Sequence, residues 1–228
     1  MEILKPDPVI DENYKPSIDM GYQDYFNRAM VFAQTNYQEQ LSKLANTHFK
    51  KMAPTAFFEE YVWCVCNTGL GSKTVSKYFP DLLKEIQPYR VSFWDLKNFP
   101  KAETMLTQLM PLIHNQSKCQ AIWAGAYIVH NGIRLFGWDD YRNNFLNSTK
   151  KLQALPMIGP LNSIQLGRNI GFIQSIASGT HLIRMASCWG FNSPEALCKE
   201  IAKHVVLQPR VIGLILWYAG STFGTNIP

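Results

Sequence analysis

The stretch from Leu155 to Asn162 has the residue types of an anion-binding turn. It reads Leu155-Pro156-Met157-Ile158-Gly159-Pro160-Leu161-Asn162. Proline's fixed φ suits the first position of a helix, so we expect one helix to end before this turn and a second to begin at Pro160. Gly159 is expected to supply the backbone freedom of the turn. Because the first amides of a helix have no intrahelical acceptor, they bind anions, and a nucleic-acid phosphate would fit here.

Positive charge is concentrated in the same half of the chain. Residues 118–228 carry 10 Lys and Arg against 4 Asp and Glu, whereas residues 1–117 carry 12 against 13. Lys150, Lys151 and Arg168 lie close enough in sequence to reinforce an anion site at the turn. Two interpretations stay open, a polyanionic partner or a basic surface that is simply solvated.

Composition excludes several classes of protein. Of the 228 residues, 46% are apolar and 17% are charged, which indicates a globular chain rather than a disordered or collagenous one. The five cysteines and five histidines lack metal-ligand spacing, so we expect no metal, no cofactor and no disulfide. We see no membrane span and no secretory signal, and expect a cytoplasmic protein.

The elements that must position the turn are helical throughout. Residues 1–21 are rich in Pro, Asp and Lys and indicate an extended arm. A strongly apolar helix follows Thr55, which we expect to cap it, and ends at the turn signal Asn67-Thr68-Gly69. Another apolar helix begins near Ala121 and is expected to end at Asn131-Gly132. Strand patterns are sparse, so the sequence predicts an all-α fold.

Two motifs together resemble a known superfamily. The turn at 155–159 and the downstream Ser178-Gly179-Thr180-His181-Leu182-Ile183-Arg184 are similar to the helix–hairpin–helix element of the DNA glycosylases that include endonuclease III. The resemblance implies a two-lobed glycosylase-like fold. One helical lobe would span 22–117, completed by 208–228, and a helix–hairpin–helix DNA-binding lobe would span 118–207.

The segments 190–202 and 211–219 resemble a narrower, phage-associated branch. That branch includes the alpha-glutamyl/putrescinyl-thymine pyrophosphorylases and anti-phage glycosylases for modified bases. The implied partner is double-stranded DNA containing modified bases, bound by a monomer in a bacterial cell or a phage-infected host. The implied DNA-binding residues are Pro156, Ile158, Gly159, Leu161, Asn162, Lys150, Lys151, Arg168 and Arg184. The implied pocket for a flipped base is formed by Trp63, Tyr61, Trp138 and His181.

Two departures from the superfamily pattern affect the expected chemistry. Gly179 stands where base-excising members have an aspartate, and Leu161 stands where bifunctional members have a Schiff-base lysine. Other carboxylates would have to stabilise the cationic sugar, and the candidates are Asp139, Asp140 and Glu59. Each also has a structural interpretation, as an acid near the N-terminal end of a helix, where it is favourable to the helix dipole.

Three functions are consistent with this pattern. The favoured one is a monofunctional glycosylase-like hydrolase that flips and excises a modified pyrimidine from DNA, in antiviral defence. The second is a DNA base hypermodification enzyme, a pyrophosphorylase or transferase that attaches a group to an activated hydroxymethyl-pyrimidine. The missing aspartate suits that reaction, because it leaves the glycosidic bond intact. The third is a catalytically inactive DNA-binding module.

Overall fold

The computed structural model describes residues 21–70, 72–91, 99, 101–172, 175–176 and 179–224. Over these residues the chain forms α-helices, a short 3-10 helix and connecting turns, with no strand, so the predicted all-α class is confirmed. No helix in the described ranges is both long and apolar enough to cross a bilayer. The predicted N-terminal arm, except for Gly21, lies outside the described residues.

The chain divides into two compact units. The middle unit is Phe49–Ile170. It contains the 3-10 helix Phe49–Lys51, α2 Pro54–Asn67, α3 Ser72–Val91, α4 Ala102–Ile113, α5 Gln116–Phe136, α6 Trp138–Phe145, α7 Thr149–Leu152 and α8 Pro160–Ile170. The terminal unit comprises the described residues up to 48 and from 171 onward, with α1 Tyr22–Asn46, α9 Thr180–Cys188, α10 Pro194–Ile201 and α11 Pro209–Phe223.

Helix α2 is the centre of the middle unit. It packs against α3, α5 and α8, and seven of its side chains are buried, namely Phe57, Phe58, Tyr61, Val62, Cys64, Val65 and Cys66. A helix that is apolar on most of its circumference must be surrounded by other helices. It begins at Pro54 with Ala53 as its N-cap, so the expected cap at Thr55 is wrong by two positions.

Helix α5 runs through the expected stop at Asn131-Gly132 and ends only at Phe136. A Cβ built on Gly132 would lie 2.1 Å from the nearest ring atom of Tyr141 on α6. The glycine therefore serves close helix–ring packing and is not a terminator. The expected helix end is wrong because the reason for the glycine is the Tyr141 ring, which lies on a different helix.

The terminal unit is built on α1 and α11, with α9 and α10 packed against α11. Helix α1 is kinked at Tyr37, whose ring stacks on Tyr218 with centroids 3.8 Å apart. At the end of α1 the fully buried Arg210 donates a hydrogen bond from Nη2 to the Thr47 carbonyl, at 2.6 Å. A buried cation at the negative end of a helix dipole stabilises that end.

The two units divide the chain differently from the lobes expected from the resemblance. Residues 118–170 belong with 49–117, because α5 packs on α2 and α4 while α8 packs on α2. Residues 171–207 belong with the two ends of the chain, because α9 and α10 pack on α11. Contacts between helices that are far apart in sequence set these boundaries. A match to a local sequence motif carries no information on such contacts.

Candidate nucleic-acid interface

The predicted hairpin lies in the middle unit between α7 and α8. Ser148 caps α7, and its hydroxyl accepts a hydrogen bond from the Lys151 amide at 3.3 Å. After a turn, α8 begins at Pro160 as expected. The Gly159 carbonyl accepts from the Ser163 amide at 2.9 Å. Gly159 is therefore the N-cap, and the amides of Leu161 and Asn162 occupy the first turn, where a helix has no acceptor for them.

The strained residue of the hairpin is Met157, not Gly159. Met157 has a φ of 59°, in the left-handed region that side chains disfavour. Gly159 is absent from the residues of positive φ, so the expectation that it supplies the turn's backbone freedom is wrong. A hydrogen bond holds Met157 in place, because its own carbonyl oxygen accepts from Asn162 Nδ2 at 3.1 Å.

Relief of this strain is testable by substitution. We expect Met157→Gly to raise the free energy of unfolding by about 0.5–1 kcal/mol, because the left-handed conformation costs a residue with a Cβ about 1–2 kcal/mol and glycine loses part of that gain through entropy. Chemical denaturation would measure the change. Met157→Ala is the control, since it keeps the Cβ while removing the rest of the side chain. A glycine variant no more stable than the alanine variant would contradict the assignment of strain.

Gly159 leaves the approach to the α8 amides open. It is exposed, and a Cβ built on it would meet no atom within 4 Å. The fold itself therefore gives no reason for a glycine at this position, in packing or in φ. A glycine does have a use where a ligand must approach the backbone closely.

Tyr61 anchors the hairpin from inside the unit. Its ring is fully buried, and its hydroxyl lies 2.7 Å from the Ala121 carbonyl of α5 and 3.0 Å from the Pro156 carbonyl of the turn. Burial raises the pKa of this phenol above its usual value. Because the ring cannot reach a base without leaving the core, the expected stacking role of Tyr61 is replaced by a structural one.

Asn162 ties the start of α8 to the turn after α2. Its Nδ2 donates to Thr68 Oγ1 at 2.8 Å as well as to the Met157 carbonyl. The side chain is thus used within the fold, and only its backbone amide remains available to an anion. No sequence signal points to Thr68 as a partner, because the two residues meet only in the packed unit.

The predicted cations differ in their surroundings. Lys150 is exposed. Lys151 is also exposed, and its Nζ donates to the Asn144 carbonyl at 2.7 Å. Arg168 is half-buried and donates twice to Asn169 Oδ1, each at 3.2 Å. Arg184 is exposed on α9, in the terminal unit.

Arg168 and Asn169 continue into a polar network on α2. Asn169 Nδ2 donates to Glu60 Oε2 at 2.9 Å. Glu59, the predicted catalytic neighbour of Glu60, is half-buried in the second turn of α2. The network joins α8 to α2, so Arg168 already has partners inside the protein.

The predicted carboxylates on α6 lie in its first turn. Asp139 and Asp140 are both exposed, where an acid favours the helix dipole. Asp139 Oδ1 pairs with Arg142 Nη2 at 2.9 Å, and the Asp139 side chain is 79% exposed. Its structural interpretation is therefore supported, while its accessibility to solvent leaves it open to a ligand.

The remaining aromatic candidates contact different neighbours. Trp138 donates from Nε1 to the Met52 carbonyl at 2.7 Å, and Trp63 meets Phe79 edge-on with ring centroids 4.9 Å apart. His181 lies on α9 in the terminal unit. Both tryptophans are half-buried.

Gly179, at the position of the superfamily aspartate, is the N-cap of α9. A Cβ built there would lie 3.2 Å from Trp217 Cδ1 and 3.3 Å from its Nε1. The indole is therefore closer to a Cβ at position 179 than in an ordinary van der Waals contact. A carboxylate here would require Trp217 to shift.

Comparison with protein-family profiles, curated proteins and solved structures found no match for this chain. Among the described residues, no group of three or more His, Cys, Asp or Glu side chains is placed to hold a metal ion. The function of this chain is therefore inferred from the geometry of the hairpin and its surroundings.

Proposed function

We propose that this chain is a DNA glycosylase-like enzyme that holds DNA through the hairpin and excises a modified pyrimidine. The observation that carries the proposal is the open space beside Gly159 at the start of α8. The fold does not require a glycine there. A phosphate that approaches the Leu161 and Asn162 amides does require one, because a side chain at 159 would stand in its way. Exposed Lys150 adds positive charge near this point in the sequence.

Excision breaks the bond between the sugar and the base, and positive charge develops on the sugar. A nearby carboxylate stabilises that charge and orients the attacking water, while the base leaves with the bonding electron pair and gains a proton. Asp139, Asp140 and Glu59 are the candidates for this role. Trp63 and Trp138, both in the middle unit, remain candidates for stacking on the flipped base.

The proposal is tested by mass spectrometry after incubating the protein with hypermodified phage DNA or with unmodified DNA. We expect free modified base and abasic sites from the modified DNA alone. We expect one of the variants Asp139→Asn, Asp140→Asn and Glu59→Gln to lack the working carboxylate. That variant should release base at least about a hundredfold more slowly than the unmodified protein. Glu39→Gln is the matched control, since Glu39 is exposed on α1 in the terminal unit. The absence of released base would overturn excision.

One observation favours a second candidate, a hypermodification enzyme acting on an activated hydroxymethyl-pyrimidine. The close contact of Trp217 with a Cβ built on Gly179 disfavours the superfamily's usual carboxylate at this position, and group transfer needs the glycosidic bond intact. A mass gain on DNA in the presence of a small amine or amino acid would identify this activity. Binding to DNA with neither result would indicate an inactive module.

A further inference from the structure

A groove with a volume of about 370 Å³ lies in the middle unit between α5, α6 and the α7 turn. Its floor includes Gly132, Leu146 and Leu155, and its walls include Tyr127, Leu135 and Phe145. The wall side chains are exposed by 46%, 61% and 45%, respectively. Large apolar side chains clustered in this way mark an interaction surface more often than a solvated one.

The two aromatic walls are held in place by other rings. Tyr127 stacks on Trp123 with centroids 5.6 Å apart and an interplanar angle of 11°. Phe145 stacks on Tyr141 at 5.5 Å and 24°. Because these rings are ordered before any partner arrives, binding costs little side-chain entropy. Pre-ordered aromatic anchors are typical of the residues that dominate binding energy at interfaces.

The described lining of the groove carries one charged side chain, and its charge is positive. Lys151 is the only charged side chain among the described residues that line it. Arg134 is exposed on α5, one residue before Leu135 and three after Asn131, both of which line the groove. Asp139, on α6, pairs with Arg142, and neither of these two side chains lines the groove. Asp140 is exposed and precedes the lining residue Tyr141 by one position on α6, so Asp140, like Arg134, lies beside the lining and not in it.

We propose that this groove binds an acidic amphipathic helix of a partner protein. The wall residues Tyr127 and Leu135 are eight positions apart on α5, a span of about 12 Å, or just over two helical turns. A partner helix can set apolar side chains against such a length at intervals of three and four residues. Glutamate or aspartate on its flanks would then meet Lys151 and Arg134.

Other occupants match the groove less well. A nucleobase needs hydrogen-bond partners along its edges, and Asn131 is the only side-chain amide in the lining formed by the described residues. A second copy of this chain would have to present acidic and apolar groups together. A symmetric contact would bring Lys151 of both copies into one interface, and the described lining has no acidic side chain to pair with either.

The test is a selection from a displayed library of random helical peptides against the full-length protein. We expect the recovered peptides to share apolar positions at helical spacing and a net negative charge. Leu135→Glu should weaken their binding at least about tenfold, because it places a charge in the centre of the apolar wall. Val31→Glu is the matched control, since Val31 is 63% exposed on α1 in the terminal unit. Both variants change exposed side chains and should fold.

Each alternative result overturns the proposal. Recovered peptides that bind Leu135→Glu as tightly as the unmodified protein would place binding elsewhere. Peptides with net positive charge would contradict the electrostatic argument. A dimer in sedimentation velocity that Leu135→Glu dissociates would assign the groove to a second copy. A single-stranded oligonucleotide that loses affinity for Leu135→Glu but not for Val31→Glu would assign it to nucleic acid.

Discussion

Replacing Gly125 with alanine is expected to lower the free energy of unfolding by about 3 kcal/mol, at the upper end of the cost of overpacking a core. A Cβ at this position would lie 2.3–2.4 Å from three atoms of the Tyr61 phenol. The ring is fully buried, so it has no free space to move into. The expected destabilisation occurs even though alanine is intrinsically better than glycine in a helix by about 1 kcal/mol.

Urea denaturation followed by circular dichroism measures this change. Gly159→Ala is the matched control, because its new Cβ meets no atom within 4 Å, and its stability should stay within about 0.5 kcal/mol of the unmodified protein. Displacement of the Tyr61 ring would also break its hydrogen bond to the Pro156 carbonyl, so Gly125→Ala should bind DNA more weakly. Unchanged stability of Gly125→Ala would contradict the packing described for α2 and α5.

The second large effect is expected on DNA binding rather than on stability. Gly159→Leu should weaken binding by about tenfold or more and by the same factor for all DNA sequences, because the hairpin binds phosphates and phosphates carry no base information. Its melting temperature should be nearly unchanged. The slope of log K against log salt should also fall by about one for each phosphate that the variant no longer binds.

Fluorescence anisotropy with several unrelated duplexes over a range of salt concentrations makes the measurement. Gly21→Leu is the control, because Gly21 also has no atom within 4 Å of a built Cβ and lies in the terminal unit. An effect confined to one DNA sequence would show that the residue reads bases. Equal binding by both leucine variants would remove the hairpin from the interface.

Features set by neighbouring residues in the chain could be predicted from the sequence. The start of α8 at Pro160 and the all-α class follow from proline geometry and helical patterning, which act within a few residues. The cause of the turn's shape was assigned to the wrong residue. Gly159 is expected to supply the backbone freedom of the turn, but Met157 is the residue in the left-handed region, and a hydrogen bond from Asn162 that the sequence does not reveal holds its carbonyl.

What sequence reasoning missed depends on packing between distant helices. Tyr61 had the residue type of a base-stacking ring, and only its bonds to Ala121 and Pro156 reveal its role in the core. The sequence around Gly132 is typical of a helix end. The ring of Tyr141 requires this glycine, and it lies on α6, where the local sequence does not reveal it. The boundaries between the two units have the same cause, since they follow from which helices pack together.

The close approach of Tyr61 to Gly125 has a consequence for divergence in this protein. A larger residue at 125 demands a smaller one at 61, and a smaller residue at 61 removes the hydrogen bond to Pro156 that supports the turn. Neither position can change alone without cost to the other or to the hairpin. Relatives that keep this hairpin should therefore keep both the glycine at 125 and the tyrosine at 61, whereas those without it should still change the two positions together, because the packing contact between them remains.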